Sequence, residues 1–196
     1  MNVENKLDKK LNITTCGRDA SAEDTYHYPY EPTPYVVLER LAETGYINKE
    51  NILVDYGCGK GRVGFYMNHM LGCRTRGVDF DERMINEALE NLKKYGKEKD
   101  VKFVCQSAEK YEVQEADCFY FFNPFAVEIL QTVIGKIRES YYDNPRKMYL
   151  FFYYPSDEYV AYLMSIRELC FADEIDCGDL FTEQNERERI IIFEMD

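Results

Sequence analysis

Ile52-Leu53-Val54-Asp55-Tyr56-Gly57-Cys58-Gly59-Lys60-Gly61-Arg62-Val63-Gly64 is the stretch that decides the fold. An apolar run ends in an acid, and glycines follow at alternate positions. The run reads as a strand buried on both faces of a parallel sheet, and the residues after Gly61 as the first turn of a helix. A glycine-rich turn between strand and helix lets a ligand lie directly against backbone. Asp55 gives that turn a preference, because it repels a phosphate and attracts an ammonium or sulfonium. The segment Gly59 to Gly64 also satisfies G-x-G-x-x-G, the dinucleotide fingerprint. In that arrangement the first glycine follows the apolar strand directly, whereas here Asp55, Tyr56, Gly57 and Cys58 intervene. Gly57 is therefore taken as the first functional glycine, with a tight turn that holds no ligand as the bland alternative.

Outward from this turn the chain alternates. Strand-like runs occupy 74–79, 101–105, 117–122 and 147–154, and helix-like runs 34–44, 61–71, 82–95, 125–140 and 157–169. Strands alternating with helices imply an α/β fold, a doubly wound sheet with helices on both faces. The end differs. Residues 171–180 and 187–195 are two extended segments joined only by the polar stretch Thr182–Glu186, which has no room for a crossover helix, so they should form an antiparallel hairpin. The expected organisation is an N-terminal extension over 1–33 and one domain over 34–196. Residues 1–20 read as a frayed extension or a short surface helix. Residues 26–35, Tyr-His-Tyr-Pro-Tyr-Glu-Pro-Thr-Pro-Tyr, cannot form a regular helix because of their prolines, and their tyrosines supply broad amphipathic faces. This segment is expected to act as a lid, with Tyr28 and Tyr30 touching substrate.

Composition narrows the function. The chain has 196 residues and a net charge of −12, from 24 Lys and Arg against 36 Asp and Glu. That balance opposes general binding to a nucleic-acid backbone. The densest basic stretch, Lys93 to Lys102, is interleaved with Glu98 and Asp100 and reads as the solvated end of a helix. The seven cysteines are odd in number and contain no C-x-x-C pair. Reduced thiols in a cytoplasm are the simplest account, and no metal site is expected. Cys105 and Cys118 read as small core residues. No apolar stretch is long enough to span a membrane, and the N-terminus lacks the apolar core of a signal peptide.

The chemistry-bearing residues sit at strand ends. Asp79 closes the second run, where an acid can accept both hydroxyls of a ribose. Phe80 beside it could pack on a purine face, and Asp81 suits the cap of the next helix. Gln106-Ser107-Ala108-Glu109 follows the third run, with short polar groups able to meet an adenine edge. Asn123-Pro124-Phe125 follows the fourth, where the proline fixes the backbone and Asn123 should project at the sheet's carboxyl edge. The alternating aromatic residues Phe119, Phe121, Tyr149, Phe151 and Tyr153 read as core, with Tyr154 and Pro155 at the pocket. His69 reads as structural and His27 as a substrate contact.

With these residues in place the chain resembles the class I S-adenosylmethionine-dependent methyltransferases, from about residue 34 to 196. Val54 to Gly61 is similar to that family's first motif, Gly77-Val78-Asp79 to its second, and Gln106 to Glu109 to its adenine contact, with Ser107 where an aspartate is common. The resemblance implies the strand order 3-2-1-4-5-7-6. It implies S-adenosylmethionine as cofactor, held by Asp55, Tyr56, Gly57, Cys58, Gly59, Gly61, Asp79, Phe80, Ser107, Ala108 and Glu109. Asn123-Pro124-Phe125 is similar to the Asn-Pro-Pro-aromatic motif of methyltransferases that act on nitrogen, one proline short. By that similarity Asn123 is the catalytic residue that accepts a hydrogen bond from the target nitrogen, and Pro124 and Phe125 line the acceptor pocket. The expected acceptor is a small molecule or a protein side chain. A cofactor-binding module without catalysis and a nucleotide-dependent oxidoreductase are the rival readings, and Asp55 argues against the second.

Overall fold

The computed structural model describes residues 3–183 and 185–196. Helices α1 (Val3–Leu11) and α2 (Tyr35–Glu43) lead into β1 (Ile52–Tyr56), α3 (Arg62–Leu71), β2 (Arg74–Asp79), α4 (Glu82–Tyr95) and β3 (Val101–Cys105). A short 3-10 turn (Ala108–Lys110) precedes β4 (Cys118–Phe121), α5 (Val127–Asp143), β5 (Met148–Tyr153) and α6 (Asp157–Met164). The antiparallel strands β6 (Cys170–Asp176) and β7 (Arg189–Met195) complete the chain. The sheet order is β3-β2-β1-β4-β5-β7-β6, as expected. The first five strands run parallel, and β7 lies antiparallel between β5 and β6. No described helix is long and apolar enough to cross a membrane.

Period-two alternation divides the central strands between two cores. Val54, Tyr56, Phe119, Phe121, Leu150 and Phe152 face one side, under α5 and α6. Leu53, Cys118, Tyr120, Phe151 and Tyr153 face the other, under α2 and α3. Apart from Asp55 in β1, these strands are thus apolar along their whole length, which is what a sheet covered on both faces demands. Cys118 is core as expected, but Cys105 is exposed, because it is the last residue of β3, the edge strand, which pairs with β2 alone. Helix α6 stops at Met164, short of the expected 169. Ile166 and Leu169 are still buried, in turns that carry the chain to the edge strand.

Helix boundaries follow their caps. The Asp81 side chain accepts the Arg83 N–H at the start of α4. Gly61 starts α3 with φ of 88°, and a Cβ there would lie 2.4 Å from the Phe103 ring. That combination of left-handed backbone and close packing admits only glycine.

The N-terminal residues join the second core, where Leu11 and Ile13 are buried. Asp8 accepts hydrogen bonds from the Thr15 hydroxyl at 2.7 Å and the Tyr35 hydroxyl at 2.5 Å.

Candidate active site

Strands β1 and β4 are neighbours, and the chain leaves β1 toward β2 and β3 on one side and returns to β4 on the other. This reversal opens a crevice beyond the carboxyl ends of the strands, the place where open α/β sheets bind ligands. The glycine turn lies in it. The N–H groups of Gly57 and Cys58 both donate to the Val78 carbonyl, at 2.9 and 3.1 Å, which ties the turn to the end of β2. The Asp79 carboxylate completes the tie, accepting the Gly59 N–H at 2.8 Å and the Asp81 N–H at 3.0 Å. Each carboxylate oxygen has further lone pairs, so these bonds leave Asp79 able to accept hydroxyls. Burial holds the Asp79 carboxyl above its ordinary range.

Asp55 lies beneath the turn at 3% exposure. Its Oδ2 has no hydrogen-bond partner among the described residues. Burial, reinforced by the nearby charge of Asp79, pushes its pKa up to about 8. The site therefore holds an acid that is neutral at low pH and gains a charge its surroundings do not balance.

A cleft of about 800 Å³, counting its open mouth, lies above the turn. Gly57, Asp79, Phe80, Ser107 and Ala108 line it from the sheet side. Pro124 and Phe125 line it from the loop after β4, and Tyr28 and Tyr30 from the N-terminal segment. The sequence-predicted residues from both halves of the chain thus share one cavity. Others reach it only through backbone or packing. The Tyr56 ring is buried, stacked on Phe121 with centroids 5.1 Å apart. The Cys58 sulfur sits where a Gly77 side chain would be, 2.7 Å from its Cβ position. Gly61 packs on Phe103, and Glu109 is exposed, accepting from the Ser107 hydroxyl at 3.2 Å. Tyr154 and Pro155 do not line the cleft. Tyr154 lies under the Arg187 guanidinium, 4.3 Å from its ring centroid, and Phe122 takes the expected place.

Asn123 does not itself line the cleft; it lies between two residues that do, Phe122 and Pro124. Its backbone is left-handed, with φ of 42°, and its Oδ1 is buried with no partner among the described residues. A non-glycine residue in this conformation costs of order 1–3 kcal/mol and persists where surrounding structure enforces it.

The segment before α2 spans the cleft. Its backbone pairs with the loop after β4, with the Ala126 N–H donating to the Tyr26 carbonyl at 2.8 Å and the Tyr28 N–H to the Pro124 carbonyl at 3.2 Å. His27 stacks on Phe80 with centroids 4.0 Å apart, and its Nδ1 lies 3.0 Å from the Asp24 carboxylate. Tyr30 lies on the turn itself, since a Cβ on Gly59 would fall 2.2 Å from its ring. Glu23, Glu31 and Asp19 add carboxylates to the rim. Sequence reasoning missed these rim acids and Phe122. The sole signal for Phe122 was its place as the last residue of an apolar run.

An acid positioned for a diol, a half-exposed aromatic ring beside it, a backbone turn open to the cleft and a buried acid with an unmet oxygen all fit an adenosyl cofactor carrying an ammonium group. The fold is that of the class I S-adenosylmethionine-dependent methyltransferases, and the site resembles theirs. Comparison with known proteins agrees. The family described as "Methyltransferase domain" matches residues 53–140. A protein-lysine N-methyltransferase of Saccharolobus islandicus is 35% identical over 71 residues, which are 36% of this chain and 44% of that protein. The match thus spans under half the length of this relative. Among solved structures, an RNA methyltransferase of Salinibacter ruber in complex with S-adenosylhomocysteine superposes with a TM-score of 0.59 at 19% identity, covering 84% of this chain and 94% of that one. SMU.1697c of Streptococcus mutans, also in complex with S-adenosylhomocysteine, gives 0.62 at 13% identity, covering 85% and 100%. At these identities the two structures speak for the fold.

Proposed function

We propose that this chain transfers a methyl group from S-adenosylmethionine to an amino nitrogen of a protein side chain, with lysine as the acceptor. The observation that carries this reading is Asn123. A buried amide oxygen without a partner, at the carboxyl end of β4, is suited to accept one N–H of an entering amine. That bond would turn the nitrogen lone pair toward the reacting carbon. The lining of the cleft supports a cationic acceptor, since it holds Asp19, Glu23, Glu31, Asp79 and Asp81 against one guanidinium, that of Arg83, with Arg18 4.0 Å from Glu31 outside the lining. The lysine N-methyltransferase among the relatives supports the same acceptor. The net charge of −12 weighs against RNA.

Asp79, the Gly57–Gly59 backbone, Phe80, Ser107 and Ala108 would hold the cofactor, with Asp55 beneath its ammonium. When bound, it supplies a methyl group already activated by a sulfonium, whose leaving group is a neutral thioether. A lysine arrives as an ammonium, so one proton must pass to solvent or a rim carboxylate before the nitrogen lone pair can attack. Beyond that the protein is left with alignment and exclusion of water, and positioning alone can supply several kcal/mol. Tyr28 and Tyr30, on the segment that bridges to Pro124, would close the cleft over both reactants. Phe125 is 3% exposed and presents little ring face, so its role is to shape the pocket wall.

Sinefungin, which carries an amine where the cofactor carries its methyl, tests the reading without a known acceptor. Asn123→Ala should weaken sinefungin about tenfold and leave S-adenosylhomocysteine within about twofold, the size expected for one hydrogen bond to a charged group. Equal effects on both ligands would remove Asn123 from the acceptor site. Transfer of labelled methyl into RNA rather than protein lysines, in a fractionated lysate, would overturn the substrate class.

A further inference from the structure

The glycine turn is joined to the N-terminal segment by two polar side chains, and neither belongs to a recognised cofactor motif. Asn91, on α4, is 2% exposed. Its Nδ2 donates to the Lys60 carbonyl at 3.2 Å, inside the turn, and to the Thr14 carbonyl at 3.0 Å. Its Oδ1 accepts the Thr14 N–H at 2.9 Å. Arg62, the first residue of α3, donates from Nε to the Thr15 hydroxyl at 2.7 Å and from a terminal nitrogen to the Thr33 carbonyl at 3.1 Å. The Thr15 carbonyl accepts the Tyr30 hydroxyl at 2.6 Å. The ring of Tyr30 then rests on Gly59. A closed path therefore runs from the turn at Lys60, through Asn91 to Thr14 and Thr15, through Tyr30, and back to the turn at Gly59. Its members come from four places in the chain, joined by hydrogen bonds and one packed ring, with the Thr14–Thr15 and Gly59–Lys60 peptide bonds completing the circuit.

We propose that Asn91 is a positioning residue for the cofactor pocket, fixing the Tyr30 ring as a wall over the glycine turn through Thr14 and Thr15. The inference rests on the cofactor reading and adds a residue that never touches the cofactor. The physical argument is one of shared constraints. The amide of Asn91 is fully engaged and almost out of water, so Thr14 cannot shift relative to Lys60 without leaving buried donors and acceptors unmet. Thr15 follows Thr14, and the Tyr30 hydroxyl follows the Thr15 carbonyl. A ligand that fixes the turn therefore fixes the ring, and a loosened ring lets the ligand leave.

A double-mutant cycle on S-adenosylhomocysteine affinity, with Asn91→Ala and Tyr30→Phe, separates this from a merely structural role. Each single variant should weaken binding about fivefold, mainly through a faster dissociation rate, and the double variant should be no weaker than the worse single one. Hydrogen exchange supplies the second readout. The ligand should slow exchange at Thr14–Cys16 in the wild-type chain and not in either variant. A structural role alone would lower the melting temperature of Asn91→Ala without ligand, yet leave the two affinity effects independent. Multiplying effects, or exchange at Thr14–Cys16 that ignores the ligand in the wild-type chain, would overturn the proposal. If Asn91→Ala does not fold, the exchange comparison between wild type and Tyr30→Phe decides alone. Failure of the wild-type chain to bind S-adenosylhomocysteine would instead remove the cofactor reading, and this inference with it.

Discussion

Replacing Asp55 with asparagine tests the electrostatics of the site. In the folded chain its pKa is raised from 3.8 to about 8, by burial first and by Asp79 second. An acid whose folded pKa is raised binds its proton more tightly in the native state than in the unfolded one. Below about pH 4 both states are protonated, and the group contributes no difference. Between about pH 4 and 8 the unfolded chain is ionised and the native chain is not, so stability falls as pH rises, by about 1.4 kcal/mol per unit. From pH 5 to pH 8 this one group should therefore cost the native state about 4 kcal/mol. Asp55→Asn removes the titration and nearly keeps the shape. It leaves a buried amide to satisfy, at a cost of roughly 1–3 kcal/mol, but that cost does not vary with pH. The informative quantity is thus the difference in slope between the two proteins. Urea unfolding at half-unit steps from pH 5 to 8.5, without ligand, should show wild-type stability falling away from that of the variant by about 1.4 kcal/mol per pH unit. S-adenosylhomocysteine should bind the variant more weakly, since the acid proposed to lie beneath the ligand's ammonium is gone. Parallel stability curves would refute the argument, showing that Asp55 ionises in the native state as it does in the unfolded chain.

Three further outcomes are expected. Asp79→Ala should weaken S-adenosylhomocysteine by roughly 2–4 kcal/mol by calorimetry, as a buried diol loses a charged acceptor and the Gly59 and Asp81 N–H groups lose theirs; unchanged affinity would assign Asp79 to the turn alone. Gly61→Ala should lower stability by about 2–4 kcal/mol, because the new methyl meets the Phe103 ring in a left-handed backbone, and a loss below about 0.5 kcal/mol in urea would contradict the packing. Arg62→Met should cost about 3–5 kcal/mol, since the 3%-exposed guanidinium is bonded to Glu4 and flanked by Asp8 at 3.8 Å, and removing it takes the nearby positive charge from the buried Asp8 carboxylate; a variant as stable as wild type at pH 7 would show that the N-terminal helix is held by its apolar contacts.

The frame of the fold is legible in the residues. Apolar runs alternating with amphipathic ones fixed the parallel strands and their helices, since period and run length are local properties. The short polar link Thr182–Glu186 fixed the antiparallel pair, because no crossover helix fits there. The glycines after β1 and the acid that ends β2 marked the turn, because left-handed backbone and an acid closing an apolar strand leave plain traces in residue type. Only the tertiary structure decided which of the marked residues present a side chain to the cleft. Tyr56 and Cys58 lie in the cofactor motif yet turn into the core, since both faces of β1 are covered and an unbroken apolar run does not say which residue faces which layer. The role of the N-terminal segment was likewise decided by packing. Tyr30 meets Gly59, His27 meets Phe80, and Asn91 meets Thr14 across wide separations in sequence. No local periodicity encodes such contacts; they exist because the folded sheet brings a strand-end turn, a helix face and an irregular segment to one edge. The raised pKa of Asp55 has the same origin, because an aspartate is unremarkable in a sequence and changes character only when the fold withdraws water from it.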